Sequence, residues 1–226
     1  MEFNFATIDA QVGYKLLTST VTPRPIAWVT TISPEGVVNA APYSFFNAMG
    51  HTPPTVVLGL LRDPVKGFKD TAANIVGMGE FVVNLVSEAL AAQMNTTSMD
   101  APRDVSELEA AGLTPAPSTH IRPPRIAEAP VSLECAMLST VITGPEQAIA
   151  IGQVLAMHVD DAFVLDAARG WIDTPKLGLV ARMHGAGWYA RCTDTFQMAR
   201  PTWAEWSAGK TAPDTATSTE TRETTK

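Results

Sequence analysis

The stretch Thr22–Asn47, TPRPIAWVTTISPEGVVNAAPYSFFN, constrains the fold most, because it reads as strand, tight turn, strand and then a polar-aromatic loop. Pro23 and Pro25 fix an extended approach. Ile26–Ile32 is β-branched and aromatic with Thr30 and Thr31 as polar breaks, which predicts a strand. Ser33-Pro34-Glu35-Gly36 places Pro and Gly where a tight turn uses them. Val37–Ala41 starts a second strand, which Pro42 is expected to stop. Tyr43-Ser44-Phe45-Phe46-Asn47 then sets three aromatics, a hydroxyl and an amide just past a strand end. A planar ligand with a polar rim needs that combination. The same residues would equally make a buried aromatic corner, with Ser44 and Asn47 bonded to nearby backbone.

Downstream, Thr55–Leu61 is nearly all apolar and predicts a central strand buried on both faces. Lys66–Gly77 carries Phe68, Ala72, Ile75 and Val76 at roughly helical spacing. Glu80–Val86 reads as a strand, followed by a helix over Glu88–Thr96 with Ser87 as its cap. Asp100–Pro124 is irregular, with a short helix at Ser106–Ala111. Six of the 17 prolines lie between Pro102 and Pro130, which disfavours strands there. Val131–Thr143 and Ala148–Val159 form two long strands around Gly144-Pro145. Phe163–Asp166 and Trp188–Cys192 are short strands. Upstream, Asp9 caps a helix over Ala10–Leu17, with Val12, Leu16 and Leu17 among its apolar positions. From Ser207 the chain lacks large apolar residues and is expected to be a disordered tail, 207–226, behind a single domain, 1–206.

About seven strands at hairpin spacing, with no strict βαβ alternation and no GxGxxG, argue against a doubly wound nucleotide fold. A mainly β architecture with α excursions, a small antiparallel barrel, fits better. Hydrophobic residues make up 46% of the 226, enough for a sizeable core. The net charge of −7, without a basic cluster, argues against nucleic-acid binding. No apolar run reaches the roughly 20 residues of a membrane span, and the N-terminus lacks a secretory pattern. Cys135 and Cys192 read as buried free thiols of a cytoplasmic protein. His51, His120, His158 and His184 show no metal-ligand spacing, so no metal is expected.

Five pieces in order, PRPIAWVTT, NAAPYSFFN, PPTVVLGL, FKDTAANI and GEFVVNLV, resemble the flavin reductase-like family, over roughly Tyr14–Arg191. The resemblance implies an FMN-binding split β-barrel. It implies a homodimer with FMN at the subunit interface and NAD(P)H as transient hydride donor. A monooxygenase or another electron-transfer protein is the implied partner. A flavoredoxin-like electron carrier and a non-catalytic ligand-binding barrel stay open as alternatives.

Lys69-Asp70-Thr71 sits near a helix start, which offers free amides, a cation and a hydroxyl to a phosphate, or only an ordinary cap. The resemblance favours the phosphate. Arg24 and Arg62 are further cations, either of which could be a surface ion pair. The backbone of Trp28, Val29 and Thr30, and the loop Tyr43–Asn47 with Ser44, Phe45, Phe46 and Asn47, match the family's segments along the isoalloxazine ring. The side chain of Trp28 alternates with Ala27 and Val29 and suits a core better than a stack. In RMHGAGWY, Arg182–Tyr189, the family's Gly-rich segment is altered. His184 there is a candidate for the flavin phosphate or ring edge, or a plain loop histidine. His158, alternating on a strand, reads as structural.

Overall fold

The computed structural model describes residues 1–63 and 67–209. Its strands are β1 (Arg24–Pro25), β2 (Ala27–Ile32), β3 (Val38–Tyr43), β4 (Phe46–His51), β5 (Pro54–Asp63), β6 (Gly67–Phe68), β7 (Glu80–Leu85), β8 (Pro115–Ala116), β9 (Arg125–Ile126), β10 (Val131–Gly144), β11 (Gln147–Val159), β12 (Val164–Asp166), β13 (Trp171–Ile172), β14 (Val180–Arg182) and β15 (Tyr189–Arg191). The α-helices are α1 (Ala10–Thr20), α2 (Asp70–Met78), α3 (Ala91–Thr96), α4 (Glu107–Ala110) and α5 (Trp203–Ser207).

The main sheet runs β3-β2-β7-β10-β11-β5-β4, with β6 added to β5, and all of its pairings are antiparallel. Its two edge strands are consecutive in sequence and joined only by the bend Ser44-Phe45. Three residue steps span at most about 11 Å, whereas seven flat strands would be about 29 Å across. The sheet therefore has to curl until its edges meet at that bend, with no ladder between β3 and β4 to seal the seam. Gly59 makes the closure tight. Its N–H donates to the Phe45 carbonyl at 2.7 Å, and a Cβ there would stand 2.7 Å from the Phe45 Cβ.

Alternation along the strands divides the apolar residues between two cores. Ala27, Val29, Val56, Leu58, Leu60, Phe81 and Val83 face inward with Ala72 and Ile75 of α2. Ile26, Trp28, Ala40 and Val86 face outward and are covered by Met94, Leu108, Leu113 and Ile126. The proline-rich excursion thus roofs the outer face of β2.

Several expectations change. Pro42 does not stop β3, which continues to Tyr43; β3 is an edge strand, where a missing N–H is tolerated. The polar-aromatic loop is shorter than Tyr43–Asn47: Phe46 and Asn47 already belong to strand β4, because pairing with β5 satisfies their backbone. β5 is interior to the sheet but buried on one face only: Val56, Leu58 and Leu60 are inside and Leu61 is exposed. The second helix begins at Asp70; Phe68 lies in β6, paired with Arg62. Ser87 makes no side-chain cap bond. Despite the prolines, β8 and β9 form a short ladder. Asp9 does cap α1, but Val12 and Leu17 are exposed while Gly13 and Thr18 are buried. Cys135 is buried and Cys192 exposed. His158 accepts its structural role by bonding Glu134 at 2.6 Å.

By their internal contacts, residues Met1–Arg191 form one unit and the chain from Cys192 a second. In the second, Thr202 and Glu205 form a capping box ahead of α5, and Trp203 stacks on Trp206. Ser207, where the tail was expected to start, closes α5; residues 210–226 of that tail lie outside the described residues.

Candidate functional site

Two cavities meet along a wall made by Pro42, Tyr43 and Ser98. The first, about 510 Å³, opens at the start of α2 and is lined among others by Asn39, Lys69, Asp70, Thr71, Arg103 and Glu107. The second, about 720 Å³, lies among α1, the end of β3 and the turn after β14, with Lys15, Arg24, Ser44, Arg182, Gly185 and Tyr189 in its lining.

The first cavity owes its polarity to the α2 N-terminus. Lys69 is the N-cap residue, exposed and without a side-chain cap bond. The first-turn amides of such a helix have no intrahelical acceptor and carry positive partial charge. Asp70 does not stand free, because Arg103 Nε pairs with its carboxylate at 2.9 Å. Thr71 is almost fully buried, and its hydroxyl accepts from Asn39 Nδ2 at 2.7 Å. Tyr43 and Thr71 share the lining of this cavity. Burial pushes the Tyr43 phenol up to about 12, with Asp70 and Glu107 adding to it, so this hydroxyl keeps its proton. Burial likewise raises the Glu107 carboxyl, against the pull of the Ala40 N–H that donates to it at 3.2 Å.

In the second cavity Arg24 is a buried tie. Nη1 donates to the carbonyls of Thr18 (2.7 Å) and Val21 (2.9 Å) at the C-terminal end of α1, where a cation suits the helix dipole. Nη2 donates to Met183 (3.0 Å) and Nε to Ser44 Oγ (3.5 Å). Arg24 thus fixes Ser44 and anchors α1 to the end of β14. Arg182 donates to Tyr189 Oη at 2.9 Å and to the Gly185 carbonyl at 3.2 Å, with its guanidinium 4.9 Å from the Tyr189 ring centre.

Of the residues singled out in the sequence, Arg24 and Ser44 meet in one cavity and Lys69, Asp70 and Thr71 in the other. Trp28, Val29 and Thr30 line neither. All three are fully buried, Trp28 Nε1 donates to Thr97 Oγ1 at 2.8 Å, and β2 is flanked by β3 and β7, so its backbone serves the ladder. Phe45 packs on Gly59 and meets Tyr14 edge-on at 6.2 Å. Phe46 packs on the inner core. Asn47 is exposed, its side chain bonded to the next amide. His184 is exposed and stacks on Trp188, outside the lining. Lys15, Asn39, Ser98, Arg103 and Glu107 line the cavities without any local motif that marks them, whereas Arg182 was visible in RMHGAGWY.

Comparison with known proteins adds context. Residues 19–171, more than half of the chain, match the family described as "Flavin reductase like domain". Nitrilotriacetate monooxygenase component B from Bacillus cereus is 33% identical with a TM-score of 0.83, covering 88% of this chain and 98% of that one. Pseudomonas fluorescens 2-nitrobenzoate 2-nitroreductase is 33% identical with a TM-score of 0.80, covering 90% and 98%. A Shewanella frigidimarina protein described as having a split barrel domain is 22% identical with a TM-score of 0.72, covering 90% and 99%. The curled sheet with its unsealed seam is that split β-barrel.

Proposed function

Because this chain belongs to the flavin reductase like domain family, we propose that it is an FMN-binding oxidoreductase that accepts hydride from NADH or NADPH. The observation that carries the reading is the pair of adjoining cavities, one of them opening on a helix N-terminus. The residues present fit an FMN. Its single phosphate suits Lys69 and the α2 amides. Its hydroxylated chain finds Asn39 and Ser98, and its flat ring finds the shared wall of Pro42 and Tyr43. Bound flavin supplies the hydride-accepting ring; the protein supplies binding, orientation and electrostatics.

In this reading Lys69 holds charge against the phosphate. The protonated Tyr43 offers a donor at the shared wall, Arg24 keeps Ser44 in place, and the roof over the outer core keeps water from the strands behind. The final acceptor is an organic substrate or a separate monooxygenase component, the latter being the setting named for the Bacillus cereus relative.

An absorbance spectrum of the purified protein, followed by anaerobic addition of NADH or NADPH, tests the reading. Flavin absorbance that bleaches with one nucleotide is expected. A colourless protein that FMN does not shift sinks it, and a yellow protein that neither nucleotide reduces is an electron carrier instead. Lys69→Ala should weaken FMN binding by about 1.5 kcal/mol, roughly tenfold, through loss of a charge-assisted contact. Unchanged affinity in a flavin titration would place the phosphate elsewhere.

The functional unit in this proposal is a homodimer. Leu138, Val141 and Ile142 of β10 and Leu155 and Met157 of β11 are large, apolar and exposed on the long hairpin. Exposed apolar surface gathered on one hairpin usually marks an interface, and two-fold pairing is the commonest closed assembly. Sedimentation should give twice the 24.1 kDa chain mass; a monomer with full flavin content excludes it.

A further inference from the structure

Each of the two cavities falls within the range of about 300–1,000 Å³ that holds a complete small-molecule ligand. The flavin reading gives a phosphate to the cavity under α2. The larger one has a different electrostatic character. Lys15, Arg24 and Arg182 face it, and neither Asp nor Glu is in its lining. In a chain of net charge −7 this is a local inversion of sign. Among the described residues, none of the three cations pairs with a carboxylate within 4.0 Å.

The three are not equivalent. Four of the five N–H groups of Arg24 already point at protein acceptors. Lys15, exposed on α1, and Arg182, held over Tyr189 with N–H groups to spare, are left to meet a ligand. Burial lowers the Arg24 pKa and neighbouring Arg182 lowers it further, against the opposing influence of Tyr14. An anion in the cavity would relieve that repulsion. Beside Arg182, the turn Gly185-Ala186-Gly187 lines the same space, with φ of +60° and +80° at its two glycines. A turn of that kind, almost without side chains, lets backbone amides come close to an anion.

We propose that this second cavity grips the diphosphate of the reduced nicotinamide nucleotide, through Lys15, Arg182 and the Gly185–Gly187 backbone. The inference rests on the flavin reading, and it makes Lys15 and Arg182 binding residues for the hydride donor. The donor's nicotinamide end is then left to face Tyr43, the wall that both cavities share.

ADP-ribose carries the same diphosphate but no nicotinamide, so it reports on the grip without any turnover. It is titrated calorimetrically into the FMN-loaded protein, into Lys15→Gln and into Arg182→Gln, and FMN and riboflavin affinities are measured for all three. Arg182→Gln should weaken ADP-ribose by roughly tenfold or more, and Lys15→Gln, at an exposed position, by about threefold to fivefold. Added salt should weaken wild-type binding. FMN affinity should not change. Lys15→Gln leaves packing untouched, so it keeps the test valid where Arg182→Gln disturbs its turn. Absent ADP-ribose binding to the yellow wild-type protein, or wild-type ADP-ribose affinity in both variants, overturns the proposal while leaving the flavin reading intact. A loss of FMN affinity without a loss for riboflavin also overturns it, since the cavity would then hold the flavin's own phosphate. A protein that takes up no FMN fails the earlier reading instead.

Discussion

Trp28→Ala should cost about 3–5 kcal/mol of folding free energy, which for a chain of this size lowers Tm by about 10 °C. The indole is fully buried in the outer core, packed with Met94, Leu108 and Ile126. Its removal leaves a cavity between β2 and the roof. It also takes away the Nε1–H that donates to Thr97 Oγ1 at 2.8 Å, although that hydroxyl keeps its own bond to the Met94 carbonyl. Trp28→Phe keeps most of the volume and should lose less. Thermal melts, paired with flavin titration of the folded variant, distinguish a core residue from a ligand contact. A variant that melts with the wild type yet loses flavin selectively would show that Trp28 acts at the ring.

Glu134→Ala is expected to destabilise by about 1–3 kcal/mol, because it empties a fully buried position and takes the shared acceptor from two part-buried amides and an imidazole. The Glu134 side chain, on β10, is fully buried. It accepts from the Thr119 and His120 amides, each at 2.7 Å, and meets His158 Nε2 at 2.6 Å. It thereby pins the end of the proline-rich roof to the long hairpin. Burial alone would raise this carboxyl; the two amides and His158 outweigh it and hold its pKa below the ordinary value. A lowered folded-state pKa means that the ionised form stabilises the fold. That contribution is present above the ordinary carboxylate range and is lost as pH falls through the lowered folded value. Wild-type Tm should therefore drop on acidification through that window, and Glu134→Gln should flatten the drop. A pH profile identical in the two proteins would remove Glu134 from the account.

These two residues show how differently the chain advertises itself. The alternation Ala27-Trp28-Val29 marks Trp28 as one face of a strand, but not which face is roofed or by what. Glu134 sits in an apolar run, VSLECAML, where a charge reads as an exception; nothing nearby in sequence announces the amides of Thr119 and His120 as its partners. His158 was legible as structural because it alternates on β11, yet its partner lies 24 residues away.

What the sequence determined by itself is whatever depends on neighbours a few residues apart. The hairpin turn at Ser33–Gly36, the Asp9 cap, the long strands around Gly144-Pro145 and the short helix after Ser106 all appear close to where they were read. The five ordered pieces that resemble the family belong to the same class, since each is a local string. The tertiary structure decided what requires the sheet to close. Only when β3 and β4 meet at Ser44-Phe45 do Lys15, Arg24, Ser98 and Arg182 reach one cavity. Only then do Phe45, Asn47 and His184 turn out to lie outside that cavity's lining. Local propensity fixes the period of a segment. Which side chains of distant segments share a space is set by the curvature of the whole barrel, and no short window of sequence carries that information.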